Sequence, residues 1–224
     1  LEILDFVNVV DFKDRLAGEF RFIFQPAEEG PPVGDSGAKG MVAAGVLENP
    51  VVAAVCALHV APNLDVGHIR YGPGVVMAGA DRIILTVTGK SAHGATPHRG
   101  VDPILVTAQV LNHIQGFLAQ RIDARSPKIL TFGRIQGGNR FNILADEVIL
   151  EGSLRYLQES VRQEVLQGLR QQFAGLTQAT GAEIKLTVEP LFPMLKNDPD
   201  LSGQAVLVRE LAQACREYGL KLGV

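Results

Sequence analysis

Hydrophobic and polar positions alternate from Arg82 to Thr88, which predicts a strand with one buried face. Asp102-Pro103 then opens a helix in the favoured order of a capping side chain followed by proline. Its apolar stripe is predicted to consist of Leu105, Ala108, Leu111 and Leu118. Two further strands follow, Lys128 to Ile135 and Glu147 to Arg155, the second bounded by Asp146. Ser160 and Gln163 form a capping box for a second helix that turns Val165, Leu169, Phe173 and Leu176 inward and stops at Gly181. A strand over Glu183 to Glu189 closes the series. The order β-α-β-β-α-β is the ferredoxin-like arrangement, a two-layer sandwich with its own core.

The chain on either side has a different rhythm. Leu1 to Arg15 is expected to be helical, Phe20 to Phe24 a strand, and the stretch through Gly34 a Pro/Gly loop. Ser36 caps a helix over residues 38–44 that ends at Gly45. The apolar run Val51 to Leu58 is expected to be a buried strand that delivers His59, with another strand around Gly67 to Tyr71, making a βαββ unit. After Pro190 a loop leads to a helix from Leu201 to Tyr218 and an apolar tail, which rejoins the first layer. The expected fold is therefore α/β: a partial α/β layer, residues 1–80 and 191–224, with a ferredoxin-like sandwich inserted at 81–190.

Composition narrows the function. With 21 basic and 24 acidic residues the formal charge is −3, and no basic cluster supports binding to a phosphate backbone, so nucleic acid is not an expected partner. The longest apolar run, Val51 to Val60, is half of what a bilayer span needs, so no membrane role is expected. A cytoplasmic setting is the expectation, with Cys56 in a strand and Cys215 in a helix as buried, unpaired thiols.

Gln25-Pro26-Ala27-Glu28-Glu29 ends an apolar stretch with two adjacent carboxylates. Neighbouring side chains on extended backbone point to opposite sides, so one carboxylate can hold a cation while the other works on water. By itself such a pair is also an ordinary solvated loop. His59, expected at the end of the next strand, strengthens the metal reading, because ligands of α/β sheets gather at strand ends. The loop from Gly89 to His98 sets His93 and His98 among small residues that leave imidazoles reachable. Gly137 to Asn142 offers amide and guanidinium donors, though it suits a hairpin turn equally well. Arg155 can clamp a carboxylate through two hydrogen bonds or make a cross-strand pair.

Taken together, the segments Phe24–Gly30, Gly37-Ala38-Lys39, Leu58-His59-Val60, Gly89 through Pro103, Gly137-Gly138 with Phe141-Asn142-Ile143, and Gly152-Ser153-Leu154-Arg155 resemble the aminoacylase and hippurate hydrolase family of dinuclear-metal amidohydrolases. That family includes auxin-conjugate hydrolases and related carboxypeptidases. The resemblance implies that residues 1–80 and 191–224 are a partial zinc-peptidase-like catalytic layer, that the sandwich at 81–190 is a lid and dimerisation domain, and that the reaction is hydrolysis of the amide bond of an N-acyl amino acid or a similar small conjugate. It makes Glu28 the general base, and Glu29 and His59 ligands of two divalent metal ions. Zinc is the first expectation for these ions, with manganese, cobalt and nickel also suited to such donors. It makes His93 a lid histidine that reaches across a homodimer to the partner's oxyanion, and Asn142 and Arg155 substrate-binding lid residues.

The family also carries a Cys-Gly-His-Asp motif upstream and a histidine near the C-terminus, which this sequence lacks. An internal fragment, binding metal weakly and turning over little by itself, is the expectation. The alternatives are a non-catalytic dimerisation or ligand-binding module of the same fold, and a dipeptidase that shares the machinery.

Overall fold

The computed structural model describes residues 21–26, 37–57, 59–65, 67–70, 72–203, 213, 216–217, 219 and 221–223. The chain divides into two compact units, residues 1–61 and 62–224. The expected helix over Leu1–Arg15, the Glu28-Glu29 pair, Cys215 and most of the expected Leu201–Tyr218 helix lie outside the described residues. None of the described helices is long and apolar enough to cross a membrane.

In the first unit one helix, α1 (Gly37–Ala43), matches its expected position, and the chain leaves it through Gly45 at φ +82°. Two expected strands do not form. Residues 21–25 and 52–57 carry no strand, and Val51 and Val55 are exposed. A continuous apolar run is strand-like only when neighbours bury both of its faces, and among the described residues no strand pairs with either segment. Arg21 is instead tied down by its guanidinium, which donates to the carbonyls of Val46, Glu48 and Asn49 at 2.6, 2.8 and 2.7 Å. Cys56, expected to be buried, is exposed for the same reason.

The second unit begins with two short strands, β1 (His68–Arg70) and β2 (Gly74–Met77). Then comes the predicted β-α-β-β-α-β series: β3 (Gly79–Thr88), α2 (Pro103–Arg121), β4 (Lys128–Gly137), β5 (Glu147–Tyr156), α3 (Glu159–Thr180) and β6 (Glu183–Phe192). After it come β7 (Leu195–Asn197), α4 (Pro199–Gly203) and β8 (Lys221–Gly223). The four long strands form one antiparallel sheet in the order β4-β5-β3-β6, so the expected α/β fold with its ferredoxin-like lid is observed. Two small pairings lie beside it: β2 with β7 antiparallel, and β1 with β8 parallel, which returns the C-terminal segment to the start of the unit.

Alternation decides which side of the sheet is core. Ile83, Leu85 and Val87 of β3, and Val148, Leu150 and Leu154 of β5, share one face and pack against Val106, Val110 and Ile114 of α2 and Val165, Leu169 and Phe173 of α3. The opposite face carries charge. There Arg134 of β4, Glu151 of β5, Arg82 of β3 and Glu189 of β6 form an ionic ladder that spans all four strands. Its hydrogen bond from Arg82, and the two arginine charges, hold the Glu151 carboxyl below its ordinary range.

Two helix details depart from expectation. The buried side of α2 is Val106, Thr107, Val110 and Ile114, whereas Leu105 is exposed and Leu111 and Leu118 are only partly covered. The Asp102 cap is as expected, its carboxylate accepting from the Ile104 and Leu105 amides at 2.9 and 3.3 Å. On α3 the Ser160–Gln163 capping box does not form: Gln158 is the N-cap residue, without a side-chain bond, and Ser160 lies inside the first turn. Gly181 ends this helix in the left-handed region at φ +75°, its N–H donating to the Thr177 carbonyl.

Candidate active site

The two loops at one end of the sheet are stitched into a platform. Gly89 N–H donates to Asp146 O at 2.8 Å, and Ser91 Oγ donates to Leu144 O at 2.9 Å. Leu144 N–H donates to Ala92 O at 2.9 Å, and Gly94 N–H to Asn142 O at 2.8 Å, with an antiparallel bridge between His93 and Ile143. His93 and Asn142 thus stand on adjacent backbones, both exposed. Three glycines permit the close approach. A Cβ would lie 2.2 Å from the Val101 carbonyl at Gly89, 3.1 Å from the Asn142 carbonyl at Gly94, and 2.4 Å from the Lys90 carbonyl at Gly100.

The imidazole of His93 accepts a hydrogen bond at Nδ1 from the Ala95 amide, at 3.1 Å. An acceptor Nδ1 belongs to the neutral ring with its proton on Nε2, so this histidine presents an N–H donor to solvent. His59, in the first unit, is the reverse case. Its Nδ1 lies 2.6 Å from the Val60 carbonyl, which can only accept, so Nδ1 carries a proton and Nε2 is the nitrogen left to face a cation. An Nδ1–H held by a backbone carbonyl is the arrangement that orients metal-binding histidines. The residue therefore fits a divalent cation, although no group of three or more His, Cys, Asp or Glu gathers among the described residues. Glu28 and Glu29, which the resemblance pairs with His59, lie outside them.

Arg155 is elsewhere. It sits near the C-terminal end of β5 in register with Ala80 and Ile129, whereas the platform lies beyond Thr88 and before Glu147. Eight residues of strand separate the two ends, about 26 Å. Arg155 faces away from the helices, exposed, and no ion pair engages it among the described residues. Of the other histidines, His113 Nδ1 meets the Gln109 carbonyl one turn back, and His68 belongs to β1, its Nδ1 buried with no hydrogen-bond partner among the described residues.

One cluster escaped the sequence reading. Asp81 is fully buried and receives a forked pair of bonds from Arg162, at 2.6 Å from Nε and 3.2 Å from Nη2. Arg162 also bonds Glu159 and lies over the Tyr156 ring at 5.7 Å from its centre. Asp81 held the only available signal, an acid at an inward position of an alternating strand.

Residues 77–179 match the family of peptidase dimerisation domains. Over 202 residues the chain is 33% identical to thermostable carboxypeptidase 2 of Saccharolobus solfataricus, covering 89% of this chain and 50% of that protein. It is likewise 33% identical over 208 residues to N-acetyl-L-cysteine deacetylase of Bacillus subtilis, covering 91% and 47%. A dinuclear metal-binding peptidase of the M20 family from Bacillus subtilis superposes with a TM-score of 0.66 at 28% identity, covering 89% of this chain and 47% of that one. The inserted sandwich is thus a dimerisation domain of the peptidase type. Over most of its length the chain is similar to carboxypeptidases, N-acyl amino acid deacetylases and a peptidase of the M20 family, in line with the motif resemblance, and it spans about half the length of the relatives it matches.

Proposed function

We propose that this protein hydrolyses the amide bond of N-acyl amino acids or similar small conjugates, with two divalent metal ions at Glu29 and His59. The observation that carries this reading is the opposite use of Nδ1 in its two histidines. In His59 a carbonyl holds Nδ1 and leaves Nε2 to face a cation, and in His93 Nδ1 accepts and leaves the Nε2 N–H for a developing oxyanion. When bound, the ions lower the pKa of water and polarise the amide carbonyl. Glu28 takes the proton of the attacking water and passes it to the departing amine. Asn142 holds the substrate beside His93, and Arg155 receives its free carboxylate through a forked pair of bonds. Zinc comes first among the candidate ions, and the setting is cytoplasmic, where an exposed thiol such as Cys56 persists unpaired.

The distance of about 26 Å between Arg155 and the platform exceeds the reach of a small substrate. One copy of the lid cannot place His93, Asn142 and Arg155 on the same molecule. A homodimer resolves this if His93 serves the partner's site while Arg155 serves its own. The proposed contact is the β4 edge with α2: Ile129 and Ile135 are exposed on a strand with no outer neighbour among the described residues, and Ile104 and Leu105 are exposed on the helix. The other edge, β6, is interrupted by Pro190 and lies outside the matched stretch 77–179. Replacing Ile129 and Ile135 together by lysine is expected to convert a dimer to a monomer in sedimentation equilibrium, since charge on an edge blocks strand pairing. A dimer that survives would place the contact elsewhere.

The hydrolase reading is tested by the carboxylate pair in the full-length protein. Glu28→Gln is expected to retain bound metal and lose about 10²- to 10⁴-fold in kcat, as removal of a general base does. Glu29→Gln is expected to lower the metal content itself, measured by plasma mass spectrometry. Equal metal content in both variants, or full activity in the first, would sink the assignment.

A further inference from the structure

The Asp81–Arg162 pair is buried and belongs to no step of the proposed chemistry. Asp81 is 0% and the Arg162 side chain 18% exposed, while every other ion pair of the described residues has a partner at least 40% exposed. A buried pair of this kind contributes little to stability over well-packed apolar residues, because removing two charges from water offsets their attraction. Its use must lie in what it fixes.

Four residues close a ring at one end of the lid. Asp81 of β3 holds Arg162 of α3; the Arg162 guanidinium lies over Tyr156 of β5; and Tyr156 packs on Gly79 of β3, its register partner. The last contact is tight enough that a Cβ at Gly79 would lie 2.6 Å from the tyrosine ring. Tyr156 is 5% exposed, and burial raises its phenol pKa. The chain enters the four-stranded sheet here, from β2 through Ala78, and leaves it here, from β6 to β7. The ladder is irregular at this point, since Ala80 pairs with Phe192 and Asp81 with Pro190, skipping one residue of β6. Backbone pairing alone therefore leaves the strand ends loosely specified. Arg155 precedes Tyr156 on β5 and projects from the opposite face.

We propose that Asp81 and Arg162, acting through Tyr156, are positioning residues for Arg155: they hold the strand end that carries its guanidinium and so set recognition of the substrate carboxylate. The inference rests on the role given to Arg155 above. Asp81 orients the guanidinium fork, Arg162 covers the ring, and the ring presses the end of β5 onto Gly79. Displacing that strand end by about 1 Å is enough to spoil a forked carboxylate contact.

The test uses the full-length protein and two variants, Asp81→Asn and the apolar pair Asp81→Leu/Arg162→Met, which removes both charges together and keeps the interior filled. Each is assayed on an N-acetyl amino acid and on its carboxamide. In the variants KM for the acid is expected to rise about tenfold with kcat nearly unchanged, and the preference for acid over carboxamide to shrink by the same factor. Hydrogen exchange gives an arm independent of turnover. In the apolar pair the amides of residues 79–82 and 154–156 are expected to exchange about tenfold faster, while those of 85–88 and 147–150 keep their protection. A uniform change in exchange, or an unaltered acid preference beside a lowered kcat, would reduce the cluster to a structural role and overturn the proposal. Absence of turnover in the unmodified protein would instead overturn the hydrolase reading and leave the exchange result to decide whether the ring holds the strand end.

Discussion

His93→Ala in the full-length protein is expected to lower kcat by about 10²- to 10³-fold, the usual cost of losing one oxyanion donor, while bound metal and thermal stability stay as they were. The imidazole is exposed, so its removal leaves no cavity. Its Nδ1 is occupied as an acceptor by the Ala95 amide, so the ring has no lone pair directed outward with which to bind a cation. A loss of metal on mutation would therefore contradict the tautomer and reassign the residue as a ligand. Mixing the variant with a second inactive variant, Glu28→Gln, sharpens the result. If His93 serves the partner's site, a heterodimer carries one site with both functional groups, and activity is expected to return to a fraction of the unmodified level. If each His93 serves its own chain, the mixture stays inactive.

The lid was legible in the sequence because its signals are local. Alternation from Arg82 to Thr88, the Asp102-Pro103 cap and the αL stop at Gly181 each depend on a few adjacent residues, and each stands where the pattern put it. The buried side of α2 was misjudged because apolar residues surround that helix. Ile104 and Leu105 face outward beside the inward Val106, and the 3.6-residue period cannot choose between two apolar stripes. The capping box on α3 does not form because Gln158 holds the cap position, and Ser160 comes two residues too late to cap the helix. In the first unit, Val51 to Leu58 had only its continuous apolar character to mark it as a strand. That property is realised through neighbours, and among the described residues the segment has no strand partner.

The site divides along the same line. His93 and Asn142 could be named from motifs, but their adjacency comes from the bridge to Ile143, a tertiary contact between loops nearly fifty residues apart in the chain. Arg155 could be named as a carboxylate clamp, yet its separation from those two follows only from the strand register. The distance turns three candidate residues into an argument about two copies of the chain. Asp81 and Arg162 were invisible because nothing in a strand and a helix eighty-one residues apart announces a shared interior bond.

Gly100→Ala is expected to destabilise the lid by about 1–3 kcal/mol in urea unfolding, the range for a methyl group forced into filled space, and to lower kcat by one to two orders of magnitude. Backbone strain is not the cause, since Gly100 has φ −122°, a conformation open to any residue. Space is the cause: the added methyl would lie 2.4 Å from the Lys90 carbonyl and 2.9 Å from the Ala92 methyl. The Lys90 carbonyl already accepts from Val101 N–H at 2.9 Å, and Lys90 N–H donates to Val101 O at 2.8 Å, so the bridge must open or the loop must shift as a body. Either response moves Ala92 and with it His93, the next residue, out of its bridge to Ile143. Catalysis should therefore suffer more than the change in stability accounts for, because a displaced oxyanion donor forfeits its effect over about 1 Å. Gly175→Ala supplies the control. It lies on α3 with nothing within 4 Å of the new methyl, and is expected to stabilise the helix by about 0.5–1 kcal/mol with kcat unchanged. If Gly100→Ala retained full activity at its reduced stability, the platform would not be what positions His93.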